Sequence, residues 1–307
     1  MGDDTKAPIS DLWSQWLLRG RYADDAQFRQ AVSAAVDRYV ERLLDGAQLQ
    51  AGQTLVDVGT GEGVVAFRAI ERIGAELRVW LTDVSEPILR HAETQAVERG
   101  VREQCTFLHC SADHLEGIPD ASVDVVVTRS VLAYVLDKAG AMREFHRVLR
   151  PGGRISLAEP VFQDDALAAL AIRAVIDSTP AGRLSPVTVL LHRWKAAQYP
   201  DTEEKILKSP IANYSERDML RFAQLAGFSD LHLELHIDTL PSIVHSWEVF
   251  INSSPHPLAP PLSVIMAGQF TAEERQLFER SMRPVVEDEK AVTTDRMLYL
   301  TAKKPFA

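Results

Sequence analysis

A glycine-rich stretch near position 60 constrains the fold of this chain more than any other feature. The apolar run 54–58 leads into Gly59, Gly61 and Gly63, and residues 64–70 then follow the spacing of a helix. Glycine tolerates positive φ angles and lets a ligand approach the backbone closely, because it has no Cβ. The N-terminus of the following helix offers free N–H groups and a partial positive charge. The stretch therefore predicts a buried strand that turns sharply into a helix and holds a ligand at the turn.

The spacing of these glycines separates two kinds of nucleotide cofactor. Dinucleotide-binding folds usually carry G-x-G-x-x-G, whose last glycine allows close packing of helix on strand. This chain has G-x-G-x-G instead, and Val64 stands where that last glycine would be. With Asp57 ahead of the glycines, the stretch resembles motif I of the class I S-adenosylmethionine (SAM)-dependent methyltransferases. An NAD-dependent oxidoreductase stays open as the alternative.

A second segment carries the same resemblance. Residues 147–153 read Arg-Val-Leu-Arg-Pro-Gly-Gly, a helix end and a tight reversal, and a strand is predicted over 154–160. This is similar to the R-V-L-x-P-G-G segment before the fifth strand of class I methyltransferases. The resemblance covers roughly residues 50–160, 215–240 and 293–304. It implies an α/β fold with a Rossmann-like, doubly wound, seven-stranded and mostly parallel sheet that is closed by an antiparallel last strand.

Breaks in the alternation of strands and helices divide the chain. Apolar residues at helical spacing between positions 10 and 45 predict two helices, which could cover a binding cleft. The predicted parts are an N-terminal helical cap (1–48), a SAM-binding core (49–162), a helical lid insertion (163–214), and a completion of the core (215–307) that contains a second insertion at 241–292.

Acids end successive predicted strands, as a nucleoside site requires. Asp83 ends the strand 78–83 and lies twenty residues past Gly63, about the distance at which an acid accepts hydrogen bonds from a ribose diol. Asp113 follows the strand 105–110, where it is placed to accept from an adenine amino group. The resemblance implies that the methionine part of SAM lies on Asp57, Gly59, Thr60 and Gly61, the ribose hydroxyls on Asp83, the adenine face on Val84, and the adenine edge on Ala112 and Asp113.

The segment after the fourth predicted strand is expected beside the glycine turn. We predict that residues 129–134 open the next helix, that Arg129 and Ser130 contact the cofactor, and that Tyr134 lines the acceptor space. Trp16 of the cap and Trp194 and Trp247 of the insertions are further candidates to line that space. Aromatic faces attract a sulfonium by about 0.5–2 kcal/mol.

Methyl transfer from a sulfonium is an in-line displacement, so the protein mainly aligns the methyl group with its acceptor. Such alignment can lower a barrier by roughly 7–11 kcal/mol. A base is needed only if the acceptor loses a proton. Glu159, at the end of the fifth strand, and His192, in the lid insertion, are the candidate catalytic bases.

Composition limits the partners of the chain. The formal net charge of -10 at pH 7 argues against binding to nucleic acid. Cys105 and Cys110 are the only cysteines, which favours a reducing compartment and fits no zinc pattern. The acidic start is unlike a signal peptide, and no apolar run approaches the roughly 20 residues that span a membrane. We therefore expect a cytoplasmic monomer or homodimer with no metal, no membrane contact and no nucleic-acid partner.

These features together predict a SAM-dependent methyltransferase that acts on a small, partly apolar metabolite of secondary metabolism. A non-catalytic SAM-binding partner protein is the second alternative, beside the oxidoreductase. Oxygen, nitrogen and carbon all stay open as the methylated atom.

Overall fold

Residues 11–306 are described by a computed structural model, and their seven strands form one mixed sheet. The strands are β1 (Thr54–Val58), β2 (Arg78–Asp83), β3 (Cys105–His109), β4 (Val123–Arg129), β5 (Leu149–Pro160), β6 (Ser229–Pro241) and β7 (Val292–Lys303). Their order in the sheet is β3-β2-β1-β4-β5-β7-β6. Neighbours among β1 to β5 are parallel, whereas β7 is antiparallel to both β5 and β6. The predicted mostly parallel sheet with an antiparallel last strand is therefore confirmed.

Helices cover both faces of this sheet. They are α1 (Leu12–Gln15), α2 (Ala26–Ala47), α3 (Val64–Ile73), α4 (Glu86–Glu98), α5 (Lys138–Val148), α6 (Gln163–Ser178), α7 (Pro186–Gln198), α8 (Glu203–Lys208), α9 (Glu216–Leu225), α10 (Trp247–Asn252), α11 (Leu262–Gln269) and α12 (Ala272–Val286). Val126 of β4 joins an apolar cluster with α5 and α9, while its neighbour Val127 joins the cluster of α2 and α3. Successive strand residues point to opposite faces, so a strand that is covered on both sides has to be apolar throughout.

Several helices begin where the sequence places capping residues. The Asp25 side chain accepts a hydrogen bond from the Phe28 amide at 2.7 Å and starts α2. A capping box of Thr271 and Glu274 starts α12. These caps fix where the helices that surround the sheet begin.

The prediction of a helix directly after β4 is wrong. Ser130 has a φ of +57°, and residues 132–134 form a single 3-10 turn. The helix α5 begins only at Lys138, after Asp137 has capped it. The physical reason is Glu159, whose carboxylate accepts hydrogen bonds from two amides in this segment and ties it to the end of β5.

The chain before β1 folds over the sheet as an irregular cover. After α1, a π-helical turn runs over Trp16–Gly20, and α2 follows. Ala23 and Asp24 both have positive φ, 48° and 55°, where the chain turns between these elements. The Trp16 Nε1–H donates to the carbonyl of Ser254 at 3.3 Å, so the cover is joined to the loop after α10. The first of the two predicted N-terminal helices is therefore short and only partly α-helical.

The two predicted insertions pack against each other although they are far apart in the sequence. Helices α6 to α8 lie between β5 and α9, and α10 to α12 lie between β6 and β7. Leu190 of α7 shares an apolar cluster with Trp247, Leu262 and Phe278. None of the helices within residues 11–306 is both long and apolar enough to cross a membrane. The boundaries of the predicted parts themselves stay predictions.

Gly46 gives a test of the close packing between α2 and the sheet. A Cβ at this position would lie 2.7 Å from Ser156 Oγ and 2.8 Å from Thr301 Cγ2. We expect Gly46→Ala to lower the free energy of unfolding by about 1–3 kcal/mol, because the neighbours must shift. Gly268→Ala in α11, where nothing lies within 4 Å, should raise it by about 0.5–1 kcal/mol. Urea unfolding of both variants measures the difference, and equal effects would contradict the packing described here.

Candidate active site

A cavity of about 620 Å³ lies at the carboxyl ends of the parallel strands. Gly59, Asp83 and Ser130, at the ends of β1, β2 and β4, form one wall. The opposite wall contains Trp16 from the N-terminal cover and Pro255 from the loop after α10. Ligands of open α/β sheets bind at this edge. The cavity therefore has the position that a cofactor site in this fold requires.

The glycine turn is shaped by packing as well as by space for a ligand. Gly59, Gly61 and Gly63 all have positive φ, of 65°, 55° and 83°. A Cβ on Gly59 would lie 2.4 Å from a methyl of Val131, and one on Gly63 would lie 2.4 Å from the Phe67 ring. A Cβ on Gly61 would meet only Leu17 of the cover, at 3.5 Å. Gly59 and Gly63 thus leave space for the neighbouring side chains of Val131 and Phe67, and Gly61 keeps the turn open towards the cavity.

Asp57 and Thr60 lie behind the turn rather than at the cavity wall. The Thr60 hydroxyl donates to the Asp57 carboxylate at 2.7 Å, and the Ala66 amide donates to it at 3.2 Å. Burial raises the pKa of Asp57 to about 7. Both hydrogen bonds end on the same Asp57 oxygen, Oδ2, and neither Asp57 nor Thr60 is among the residues that line the cavity within 11–306. Their contact with the methionine part stays a prediction.

Asp83 faces the cavity and also braces the turn. One oxygen of its carboxylate accepts from the Gly61 amide and the other from the Ser85 amide, each at 2.9 Å. Burial raises the pKa of this carboxyl group. Val84 beside it is 46% exposed, so an apolar side chain is left open at the wall. This pair offers a hydrogen-bond acceptor next to an apolar face.

The turn after β3 adds polar groups to the same wall. Ala112 and Asp113 both line the cavity, and the Ser111 hydroxyl donates to the Asp113 carboxylate. Cys110 lines it as well, and burial raises the pKa of its thiol to about 11. The sequence interpretation did not assign Ser111 or Cys110 to the site, although their position directly after a strand was a usable signal.

Arg129 is a half-buried cation at the cavity wall. Its buried Nε–H has no hydrogen-bond partner among residues 11–306, and burial lowers the pKa of the guanidinium. The nearby carboxylates of Asp57 and Glu159 favour its charge, and Arg21 opposes it. A buried guanidinium N–H without an acceptor costs free energy unless a ligand accepts its hydrogen bond. Ser130, next to it, is also at the wall, and its amide donates to the Ala158 carbonyl at 2.9 Å.

The two candidate bases do not reach the cavity. Glu159 is fully buried and accepts from the Thr128 hydroxyl at 2.6 Å and from the amides of Val131 and Ala133 at 2.9 and 3.3 Å. His192 lies in α7, where its Nε2 is 3.1 Å from the buried carboxylate of Asp201. Neither is among the residues that line the cavity within 11–306. Their assignment as bases is corrected: Glu159 holds the loop after β4, and His192 belongs to the packing of the lid.

Aromatic side chains form the wall opposite the glycine turn. Of the four proposed lining residues, the structure places Trp16 and Tyr134 there. Trp13 packs edge-on against Tyr134 with 5.2 Å between the ring centroids, and Phe162 lies 6.3 Å from Tyr134. This part of the cavity is therefore rigid and mostly apolar.

Trp194 and Trp247 lie elsewhere, so their assignment to this wall is corrected. The Trp194 ring packs edge-on against Phe250 and Phe278, with 5.4 and 6.0 Å between ring centroids. Trp247 is 3% exposed in the same cluster. Both rings fill the core shared by the two insertions. Arg21, Tyr22 and Met297 reach the cavity instead, and no local pattern in the sequence marked them.

The sequence of the chain matches that of known methyltransferases. Residues 49–206 match a family described as a methyltransferase domain. The chain belongs to the class I SAM-dependent methyltransferases. Nocamycin O-methyltransferase of Saccharothrix syringae is 33% identical over 201 residues, which cover 64% of this chain and 67% of that enzyme.

Two further comparisons extend this assignment. The 27-O-demethylrifamycin SV methyltransferase of Amycolatopsis mediterranei is 32% identical over 159 residues, 52% of this chain and 56% of that enzyme. The chain thus matches little more than half the length of this relative. The crystal structure of YcgJ from Bacillus subtilis has a TM-score of 0.53 and 14% identity, and the match covers 88% of this chain and 100% of that one. This likeness shows the shared fold alone.

A class I methyltransferase uses SAM as its methyl donor, and the groups at the cavity wall suit that molecule. Asp83 and Asp113 are acceptors for hydroxyl and amino groups, and Val84 is an open apolar surface. Arg129 supplies an unsatisfied donor for a carboxylate. Within residues 11–306, no group of three or more His, Cys, Asp or Glu side chains could hold a metal ion.

Glu159 gives the fold a pH dependence whose sign follows from its raised pKa. Burial raises that pKa from 4.5 to about 7, so the folded state binds the proton more tightly than the unfolded state. The stabilisation is complete below pH 4.5 and is lost as the pH rises to 7. Between these values the wild type should lose about 3 kcal/mol of unfolding free energy relative to Glu159→Gln, whose side chain does not titrate.

Urea unfolding at several pH values measures this difference. Glu204→Gln, at an exposed ion pair of α8, serves as the control and should differ from wild type by the same small amount at every pH. A pH-independent difference between wild type and Glu159→Gln would contradict the prediction.

Proposed function

We propose that this protein transfers the methyl group of SAM to an oxygen atom of a small, largely apolar metabolite. The observation that carries the proposal is one continuous cavity with acids and an open glycine turn on one wall and aromatic rings on the other. The two relatives described above support oxygen as the acceptor: the name of the first specifies O-methylation, and the second acts on an O-demethylated compound.

The cofactor lies, in this proposal, along the ends of β4, β1, β2 and β3. Asp83 accepts hydrogen bonds from the ribose hydroxyls, since each of its oxygens receives only one amide from the protein. Val84 packs on the adenine face, and Ala112 with Asp113 meets the adenine edge. This arrangement places the adenosine among the polar groups that the strand ends supply.

The methionine part then lies between the glycine turn and the end of β4. Gly59, Gly61 and Ser130 provide the backbone surface there. Arg129 receives the α-carboxylate, because its buried Nε–H lacks any other partner. A charge-assisted bond of this kind is short and strong in a buried site.

The acceptor occupies the aromatic part of the cavity, next to Tyr134 and Trp16. Alignment of its oxygen with the sulfur–methyl bond supplies most of the rate enhancement, up to about 7–11 kcal/mol. The surrounding rings exclude water and favour the sulfonium by cation–π attraction. Secondary metabolism as the setting, the cytoplasm as the location, and a monomer or homodimer as the assembly all remain proposals.

A non-catalytic SAM-binding partner protein is the remaining rival, because membership of the family displaces the NAD-dependent oxidoreductase. Incubation of the purified chain with methyl-labelled SAM and a panel of hydroxylated, carboxylated and aminated aromatic compounds separates the two. Label should pass to an oxygen of one class of compounds with release of S-adenosylhomocysteine (SAH). Transfer only to nitrogen or carbon would refute the choice of oxygen, and binding of SAM without any transfer would favour the rival.

Two substitutions test the cofactor residues. Asp83→Asn and Arg129→Gln should each weaken the binding of SAH about 10–100-fold, because each removes a charge-assisted hydrogen bond. Isothermal titration calorimetry measures the dissociation constant. The control is Asp230→Asn, whose carboxylate lies in an exposed ion pair at the start of β6 and should leave SAH binding unchanged. Unchanged SAH binding in either test variant would remove that residue from the cofactor site.

A further inference from the structure

The cavity contains one guanidinium group more than the single carboxylate of the cofactor can pair with. Two guanidinium groups line it, those of Arg129 and Arg21. Arg21 lies over the rings of Trp16 and Tyr22, 5.2 and 5.5 Å from their centroids, and forms no ion pair with a carboxylate of residues 11–306. The charge of Arg21 disfavours that of Arg129. SAM brings one carboxylate to this region, so one guanidinium remains for another anion.

The carboxylates that line the cavity already have neighbours in the protein or a proposed role at the adenosine end. Asp37 pairs with Arg68 at 3.3 Å, and Glu62 lies 3.9 Å from His91. Both also line a smaller cavity of about 280 Å³ on the side of α3. Asp83 and Asp113 belong to the adenosine end described above. Of the two carboxylates that favour the charge of Arg129, Glu159 accepts from neutral donors with both oxygens, and Asp57 does so with Oδ2.

The same wall offers no good base to an acceptor. Within residues 11–306, no histidine lines the cavity. The hydroxyl of Tyr39 donates to Asp295 at 2.6 Å, and burial raises the pKa values of Tyr39 and Tyr134. Burial likewise keeps the Cys110 thiol protonated, with a pKa of about 11. The lining carboxylates are those described above, which face Arg68, His91 or the adenosine end. An alcohol would have to give its proton to one of these, whereas an oxygen that is already ionised needs no base.

We infer that the acceptor is an organic acid whose oxygen is anionic at neutral pH, and that Arg21 holds it. This inference rests on the proposed function and adds the chemical class of the substrate. A carboxylate and a strongly acidic enol share this chemistry. Arg21 suits the role because its guanidinium lies in the aromatic wall, where a partly desolvated ion pair is stronger than in water.

The reaction balances without a proton transfer. A lone pair of the anionic oxygen forms the new O–CH₃ bond while the S–CH₃ bond breaks and its electron pair stays on sulfur. The anion and the sulfonium become a neutral methyl ester or enol ether and the neutral thioether of SAH. The product has lost the charge that Arg21 recognised, so the geometry favours its release over that of the substrate.

The test measures binding of defined compounds to the complex of the protein with SAH, by calorimetry at pH 7.5. 2-Naphthoate represents carboxylates, 4-hydroxycoumarin represents acidic enols, and 2-naphthamide and 2-naphthol are neutral counterparts. At least one ionised compound should bind ten or more times as tightly as both neutral ones, and which one does so distinguishes the two sources of the anion. In Arg21→Gln this preference should fall at least tenfold, and Arg21→Lys should restore part of it.

Two controls separate this role from others. Arg21→Gln should bind SAH within threefold of wild type, because Arg129 and not Arg21 serves the cofactor. Arg217→Gln removes an exposed cation of α9 and should leave all affinities unchanged. A preference for neutral compounds, no binding of either ionised compound, an unaltered preference in Arg21→Gln, or a large loss of SAH binding in that variant would each overturn the inference. If wild type fails to bind SAH, the proposed function itself fails; if SAH binds and the preference is absent, only this inference fails.

Discussion

The cofactor side of this molecule depends on the close approach of the loops that follow β1 and β4. The side chain of Val131 occupies the space that a Cβ of Gly59 would need. Glu159 holds Val131 in this position by accepting a hydrogen bond from its amide. The same carboxylate accepts from the Thr128 hydroxyl and the Ala133 amide. These donors offset only part of the desolvation of the carboxylate, whose pKa is raised to about 7. The Glu159 side chain thereby sets the position of the loop after β4. Because Val131 of that loop packs so closely, the residue directly after β1 has to be a glycine, Gly59.

The two walls of the cavity have separate origins in the chain. The segment that matches the methyltransferase domain family, 49–206, supplies the glycine turn and the acids of the cofactor wall. Much of the acceptor wall comes from outside it, from the N-terminal cover and the loop after α10, which Trp16 and Ser254 join by a hydrogen bond. In the proposed function the acceptor is thus recognised largely by segments outside the strand ends. The two walls still meet where Leu17 of the cover lies close to Gly61.

The charges in the cavity are divided in the same way. Carboxylates lie at the ends of β2 and β3, where hydroxyl and amino groups of a nucleoside need acceptors. The guanidinium group of Arg21 lies over the rings of Trp16 and Tyr22, and Arg129 lines the cavity at the end of β4. In a partly dry site such charges act over longer distances than they would in water. The overall net charge of -10 therefore says little about the field that the reacting groups experience.

The sequence by itself determined the sheet, most of its helices and the line of the cofactor wall, because these features are local. Alternate strand residues, capping side chains and the glycine turn act within a few positions of one another, as at Asp25 and Gly61. Only the tertiary structure decided what the acids and aromatic rings do. Glu159 and Trp247 both have side chains that suit the site. The Glu159 carboxylate instead accepts hydrogen bonds from amides of the loop after β4, and Trp247 packs in the core that the two insertions share. Arg21 lines the cavity because it follows a π-helical turn, which no sequence pattern predicted. Contacts between distant segments depend on how side chains compete for the same space and the same donors, and that competition is settled only when the whole chain is folded.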